Sequence, residues 1–247
     1  MHTTRPSRLR RTILAGGAAL VIAASALGVG AYSYLKPTAT ASTPITAVPL
    51  TTMATNDSAA EAVSVAASDA TVYEIQSSAS TASFIVDEVL RGSPYTVVGT
   101  TNQVAGQIAF DPADPGSAQV GTILIDARTL VTDDESRTRA LGNRILNTDQ
   151  YEYVSFTPTE LTGLPESVTA GQPFTFQATG DLTIKDTTRP VSFDVTVTPT
   201  TDGTLDGIAT TTIQYADWGV SIPSVPFVAS VDQDVVLQLN FSASATA

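Results

Sequence analysis

The stretch Gln172-Pro-Phe-Thr-Phe-Gln-Ala-Thr-Gly-Asp-Leu-Thr-Ile-Lys185, followed after a short loop by Val191-Ser-Phe-Asp-Val-Thr-Val-Thr198, decides the fold. In the first run Phe174, Phe176, Ala178, Gly180, Leu182 and Ile184 share one parity, and Gln177, Thr179, Asp181, Thr183 and Lys185 share the other. In the second, Val191, Phe193, Val195 and Val197 alternate with Ser192, Asp194, Thr196 and Thr198. A period of two is the mark of a strand with one apolar and one wet face. Asp186-Thr-Thr-Arg-Pro190 carries turn chemistry, and a proline opening the second strand removes no needed ladder donor. The pair reads as a long β-hairpin whose apolar face must be covered.

Similar alternation recurs at 72–76, 80–88, 95–100, 103–110, 118–126, 151–159, 205–213 and 234–243. The last is clean, with Val235, Leu237, Leu239 and Phe241 set against Asp234, Gln238 and Asn240. Closely spaced short strands separated by Gly, Asp, Pro or Asn predict an all-β antiparallel sandwich or barrel. One segment departs from this pattern. In Glu135–Leu146 the apolar positions Leu141, Ile145 and Leu146 follow Asp133 and Asp134, both good N-cap residues, so a short helix is expected. The body from Thr71 to Ala243 is long enough to bury a core as one domain.

Ahead of it lie three segments of different character. Residues 1–11 form a basic tail with Arg5, Arg8, Arg10 and Arg11. Residues 12–35 carry no charge, and as a helix they span roughly 36 Å, enough for a hydrocarbon core of about 30 Å. The arginines before this run and the single Lys36 after it place the N-terminus in the cytoplasm. Two readings stay open, an uncleaved transmembrane anchor and a cleaved signal segment with Val29-Gly-Ala31 as the small-residue site. Both put everything after Leu35 outside the cell membrane, in the envelope or secreted. In residues 36–70, 24 of 35 are Ala, Thr, Ser or Pro, too little bulky apolar surface to offset ordering entropy. A disordered tether reaching very roughly 30 Å is expected there.

The composition excludes much chemistry. The chain has 24 acidic and 12 basic residues, a net charge of −12, with the arginine tail holding a third of the positive charge. The acidic body argues against a nucleic-acid partner, which needs a basic footprint. No cysteine occurs, and the one histidine is His2, remote from any core. Thiolate nucleophiles, Ser-His-Asp arrangements, His-based proton transfer and the usual zinc ligand sets are thereby removed. No cofactor loop or metal-ligand spacing appears, and the residues favour an exported binding module over an enzyme. Asp133-Asp134-Glu135 reads as a helix cap before a calcium loop. Arg137, Arg139 and Arg144 form the densest cationic cluster. Arg137 and Arg144, seven apart, can share a helix face and receive an anionic group. Surface pairing with Asp133, Asp134 and Glu135 is the alternative.

Gly180-Asp-Leu-Thr-Ile-Lys-Asp-Thr-Thr-Arg-Pro190-Val-Ser-Phe resembles the G-x-L-T-I-[KR]-G-x-T-[KR]-P-V signature of the YceI-like lipid- and polyisoprenoid-binding proteins. Further landmarks follow in that family's order: Ser83-Phe-Ile-Val-Asp, Ala105-Gly-Gln-Ile-Ala-Phe-Asp111 and Thr122-Ile-Leu-Ile-Asp-Ala-Arg-Thr-Leu-Val-Thr132. Ile145 to Phe156 and Ala216-Asp-Trp-Gly-Val-Ser-Ile-Pro223 complete the set. The departures are Asp186 for a glycine, Thr138 for the aspartate of an Arg-Asp pair, and Glu152 for a proline.

The resemblance implies an eight-stranded, lipocalin-like antiparallel barrel with one short helix, its apolar lumen holding an isoprenoid or other long-chain lipid without catalysis. Lining candidates on the first strands are Phe84, Val86, Ile108, Phe110, Ile123 and Ile125. Further along the chain they are Phe156, Phe174, Phe176, Leu182, Phe193 and Trp218, and the three arginines are candidate head-group contacts. A filled core serving as a structural or protein-interaction domain is the competing expectation. The oligomeric state stays open, a dimer included.

Overall fold

A computed structural model gives the fold; it describes residues 45–50, 70–224, 226 and 228–246. The expected anchor at 12–35 and most of the expected tether lie outside the described residues. Among the described residues no helix is long and apolar enough to cross a membrane.

The body is one antiparallel sheet of thirteen strand segments. They are β1 (Thr71–Ile75), β2 (Thr81–Leu90), β3 (Ser93–Thr101), β4 (Val104–Ala105), β5 (Gln107–Phe110), β6 (Gln119–Val120) and β7 (Ile123–Asp126). After these come β8 (Tyr153–Thr162), β9 (Phe174–Ile184), β10 (Thr187–Pro199), β11 (Thr204–Gln214), β12 (Val228–Val231) and β13 (Asp234–Ala245). The expectation of eight strands is corrected to thirteen, and the reason is bending. β1 and β2 lie end to end along one side of β13, opposite residues 243–245 and 236–240, with a 3-10 turn at Ser77–Ala79 between them. β3, β4 and β5 are consecutive pieces that meet β2, β7 and β1 in turn. β6 and β7 are separated by Gly121 and Thr122.

Hydrogen bonding follows the path β4-β7-β8-β9-β10-β11-β13-β1-β5-β6. Its two ends are joined through the chain, β4 to β5 across Gly106 and β6 to β7 across Gly121, so the sheet curls back on itself. Sharp curvature of this kind needs glycines and breaks in the ladder. At Gly106 a Cβ would stand 2.4 Å from Ile123 Cδ1.

The opening hairpin is β9 and β10, paired from Thr187–Ile184 to Val197–Phe174. Its alternation appears directly in burial: Phe193, Val195 and Val197 are buried, whereas Ser192 and Asp194 are exposed. The wet face is tied by cross-strand hydroxyl and amide contacts, Thr179 to Ser192 at 2.7 Å, Thr183 to Thr188 at 2.8 Å and Gln177 to Asp194 at 3.0 Å.

The turn is shorter than the sequence suggests. It comprises Lys185 and Asp186 alone, and Pro190 lies inside β10, opposite Asp181. The proline is tolerated there because the β11 ladder begins only at Asp194. Lys185 has φ 60°, while Asp186 is not among the positive-φ residues. The conformational demand therefore falls one residue before the family's glycine position, and Asp186 instead accepts a hydrogen bond from Tyr151 Oη at 3.2 Å. Lys185→Gly is expected to stabilise the protein by about 0.5–1 kcal/mol, the left-handed penalty less the entropy glycine adds to the unfolded chain. Thermal melts should show a Tm a few degrees higher; an unchanged or lower Tm would mean that the lysine side chain contributes more than its backbone costs.

Two further features depart from expectation. The helix is shorter, with α1 at Glu135–Ala140 capped by Asp134 and continued by a π-turn at Leu141–Ile145. Part of the expected disordered tether, residues 45–50, is also described, and Leu50 meets the sheet. The Leu50 amide donates to Gln107 Oε1 at 2.8 Å, its side chain covers Gly121, and Ala47 is buried.

Candidate functional site

The strand register defines one inward face. Phe84 lies opposite Gly99 and Leu237, and Leu237 opposite Thr211. Leu239 lies opposite Ala82 and Ala209, Ala209 opposite Val195, and Val195 opposite Phe176. These positions share parity with the buried Val86, Val97, Val235 and Phe241. Yet Phe84, Ala209, Phe176, Leu237 and Leu239 are only half-buried. Their residual exposure sets these positions apart from the buried positions of the same face.

Two glycines lie beneath aromatic rings on this face. The Phe84 ring lies on Gly99, where a Cβ would come within 2.1 Å of Cε1, and the Phe241 ring lies on Gly207, where a Cβ would come within 2.4 Å of Cζ. In both cross-strand pairs the ring covers the wall instead of standing away from it.

One end of the curl carries α1 together with the β2–β3 and β9–β10 hairpins. Leu141 is buried there, and Ile145 and Leu146 pack against the apolar cluster. Trp218, on the 3-10 turn Tyr215–Trp218, donates from Nε1 to the Leu182 carbonyl at 3.0 Å. At the opposite end Phe110 stacks on Phe174 with centroids 6.0 Å apart, and Phe174 on Phe176 at 6.0 Å.

All twelve lining candidates fall into this single apolar cluster, divided by accessibility. Val86, Phe110, Ile123, Phe156, Leu182, Phe193 and Trp218 are buried and form sealed wall, with Phe156 and Phe193 edge-to-face at 4.8 Å. Phe84, Ile108, Ile125, Phe174 and Phe176 are half-buried. The candidates lacked Leu237, Leu239 and Ala209, which belong to the accessible band. The alternation at 234–243 was the available signal for the first two.

The arginines are committed elsewhere. Arg137 Nη2 pairs with Glu88 Oε1 at 2.9 Å, Nη1 pairs with Asp133, and the guanidinium lies 5.6 Å from the Tyr95 ring centroid. Glu88 lies opposite Tyr95 in the β2–β3 ladder, on the inward face, with a side chain only 6 % exposed. Tyr95 Oη donates to Asp133 Oδ2 at 2.5 Å. That hydrogen bond, and then the Arg137 charge, hold the Asp133 carboxyl below its ordinary value; the same bond and the Asp133 charge raise the Tyr95 phenol. Two carboxylates thus partner Arg137, and its pairing with Asp133 is the surface pairing that the sequence offered beside an anion-receiving face shared with Arg144. Arg139 pairs along the helix surface with Glu135 at 3.5 Å, and Arg144 also has an interaction of its own.

Arg128 is the cation the sequence reading passed over. It pairs with Glu152 and, at 3.4 Å, with Asp126, whose side chain is 1 % exposed. Its backbone amide also donates to Asp126 Oδ1 at 2.9 Å. Glu152 stands where the resemblance has a proline, so the ion pair gives that departure a structural use at the β7–β8 corner. Among the described residues no group of three or more His, Cys, Asp or Glu is arranged to hold a metal.

An apolar-lined, curled antiparallel sheet capped by a short helix is the architecture, and the YceI-like domain family matches it over residues 73–243. The chain belongs to the YceI-like family. No curated protein matches the sequence. Among solved structures, this YceI-like domain is similar to Burkholderia cenocepacia BcnA, with TM-score 0.54 and 18% identity, covering 69% of this chain and 99% of that one. It is also similar to a polyisoprenoid binding domain from Saccharophagus degradans implicated in plant cell wall breakdown. There the TM-score is 0.55 and the identity 11%, over 70% of this chain and 98% of that one. At such identities the likeness is one of fold.

Proposed function

We propose that this YceI-like domain holds a long apolar or amphiphilic lipid chain, polyisoprenoid-like, inside its curled sheet and performs no catalysis on it. The supporting observation is the band of half-buried, inward-facing Phe84, Ala209, Phe176, Leu237 and Leu239 within an apolar cluster whose other inward positions include the buried Val86, Phe156, Leu182 and Phe193. When the broken pieces are joined, β1–β2, β3–β5 and β6–β7 are three courses, and β8, β9, β10, β11 and β13 are five more. The eight courses form a lipocalin-like barrel whose lumen is the binding site. Each 100 Å² of chain removed from water contributes roughly 2.5 kcal/mol, offset by the cost of association. Affinity then comes from contact area, and selectivity from the width and depth of the lumen. The polyisoprenoid-binding domain among the similar folds supports this ligand class. The only histidine is His2 and there is no cysteine, so the domain lacks the commonest proton-transfer and thiol groups.

In this reading the segment 12–35 anchors the chain, or directs its secretion, with the domain outside the cell membrane. The full chain, purified from a bacterial envelope fraction and examined by native mass spectrometry, is expected to carry extra mass that organic extraction releases as a prenyl lipid. A chain-free protein that takes up no prenyl lipid would overturn the proposal and favour a filled-core interaction domain.

A further inference from the structure

We infer that Phe110, Phe174 and Phe176 form a floor across the lumen that sets the longest chain it accepts. The inference rests on the lipid-binding reading above and specifies its selectivity. In the order of the sheet, β5 and β9 are not neighbours; the β6–β7 course and β8 lie between them. The Phe110 and Phe174 rings nevertheless approach to 6.0 Å between centroids with planes 12° apart. A contact between strands that far round the curl crosses its interior. Phe176 extends the stack at 6.0 Å and 25°. Phe110 is 3% exposed and fixed, whereas Phe174 and Phe176 keep part of their surface open.

The stack also has the right depth. Along β9, which serves here as a ruler because this side of the curl is closed, the positions run from the buried Leu182, tied to Trp218 at the helix-capped end, through the buried Gly180 and Ala178 to Phe176 and Phe174. The accessible band reaches this series at Phe176, opposite Val195. Six residues of strand separate Leu182 from Phe176, so cap and floor are roughly 20 Å apart, less the strand tilt. An extended geranylgeranyl chain fits that length; a much longer prenyl chain does not without leaving part of itself in water. Because the floor consists of side chains, its height can change without moving the sheet.

The test is competition between farnesol, geranylgeraniol and solanesol, presented in mixed micelles to the full-length protein, for displacement of a bound fluorescent prenyl probe. Wild type is expected to bind geranylgeraniol most tightly. Phe174→Ala should raise the affinity for solanesol relative to geranylgeraniol by about tenfold, roughly the 1.4 kcal/mol of extra buried chain. Phe174→Trp, which keeps an aromatic ring, adds volume to the floor and covers the case in which the alanine variant does not fold, should move the preference toward farnesol. Absence of binding by any prenyl alcohol in wild type would defeat the lipid-binding reading itself. Binding in which neither variant changes the order of chain lengths would defeat the floor alone.

Discussion

Gly180→Ala is expected to destabilise the domain by about 3 kcal/mol, the upper end of what overpacking costs in a well-packed interior. A Cβ at this position would lie 2.3 Å from the Thr157 carbonyl oxygen, 2.6 Å from Pro158 Cα and 2.9 Å from the Thr157 carbonyl carbon. All three are backbone atoms, so no rotamer change relieves the clash. They come so close because the β8–β9 register shifts between Pro158 and Glu160, and the bulged β8 backbone folds over the glycine. From sequence, a glycine in mid-strand suggested a sharp bend or room for a ligand chain; the room is occupied by the neighbouring strand. Gly99→Ala is the control, since the three atoms nearest its added Cβ are all ring atoms of Phe84, a side chain that can move, and about 1 kcal/mol or less should be lost. Urea unfolding of the two variants distinguishes the explanations. Equal losses would show that backbone contact is not the cause.

The second large effect is at Arg137. Replacement by leucine removes the partner of Glu88, whose carboxylate is buried at the inward rim of β2, and one partner of Asp133. Stranding a buried charge costs about 3–5 kcal/mol when the pair is fully enclosed. Arg137 keeps about a quarter of its surface in water, so a loss of about 2 kcal/mol is expected here. Glu88→Gln in the same chain should restore part of it, because the neutral amide no longer carries an unpaired charge. A double-mutant cycle on unfolding free energy measures the coupling. Additivity of the two substitutions would mean that the pair contributes nothing to holding α1 against the β2–β3 hairpin.

How far the sequence could be read depends on the range of the interaction. The two faces of β9 and β10 follow from side chains two residues apart, and the burial of Phe193, Val195 and Val197 matches that alternation residue by residue. The Asp134 cap is equally local, accepting from the Arg137 amide at 2.9 Å. Features set by the curling of the sheet were not legible. The breaks between β1 and β2 and at Gly106 exist because strands bend to meet partners remote in sequence, and a period-two pattern does not record where the bend falls. Parity separates inward from outward but cannot distinguish buried wall from more accessible surface, so Phe156 and Phe84 looked alike although the latter is the more exposed. Arg137 meets a glutamate 49 positions away. Its near neighbours Asp133 and Glu135 were visible as partners in the sequence, whereas Glu88 was not.

The pairing of the first strand with the last has a consequence for when the domain can fold. Tyr73 is in register with Ala245 and Ile75 with Ala243, while on its other side β1 meets β5. β1 therefore stays half-paired until β13 has been made, and ordering a loop of that length must precede any reward from the contact. The domain completes its sheet only once β13 is available, by a late and long-range step. A nascent chain of this protein remains open for as long as its last strand is missing, whichever strands have already paired.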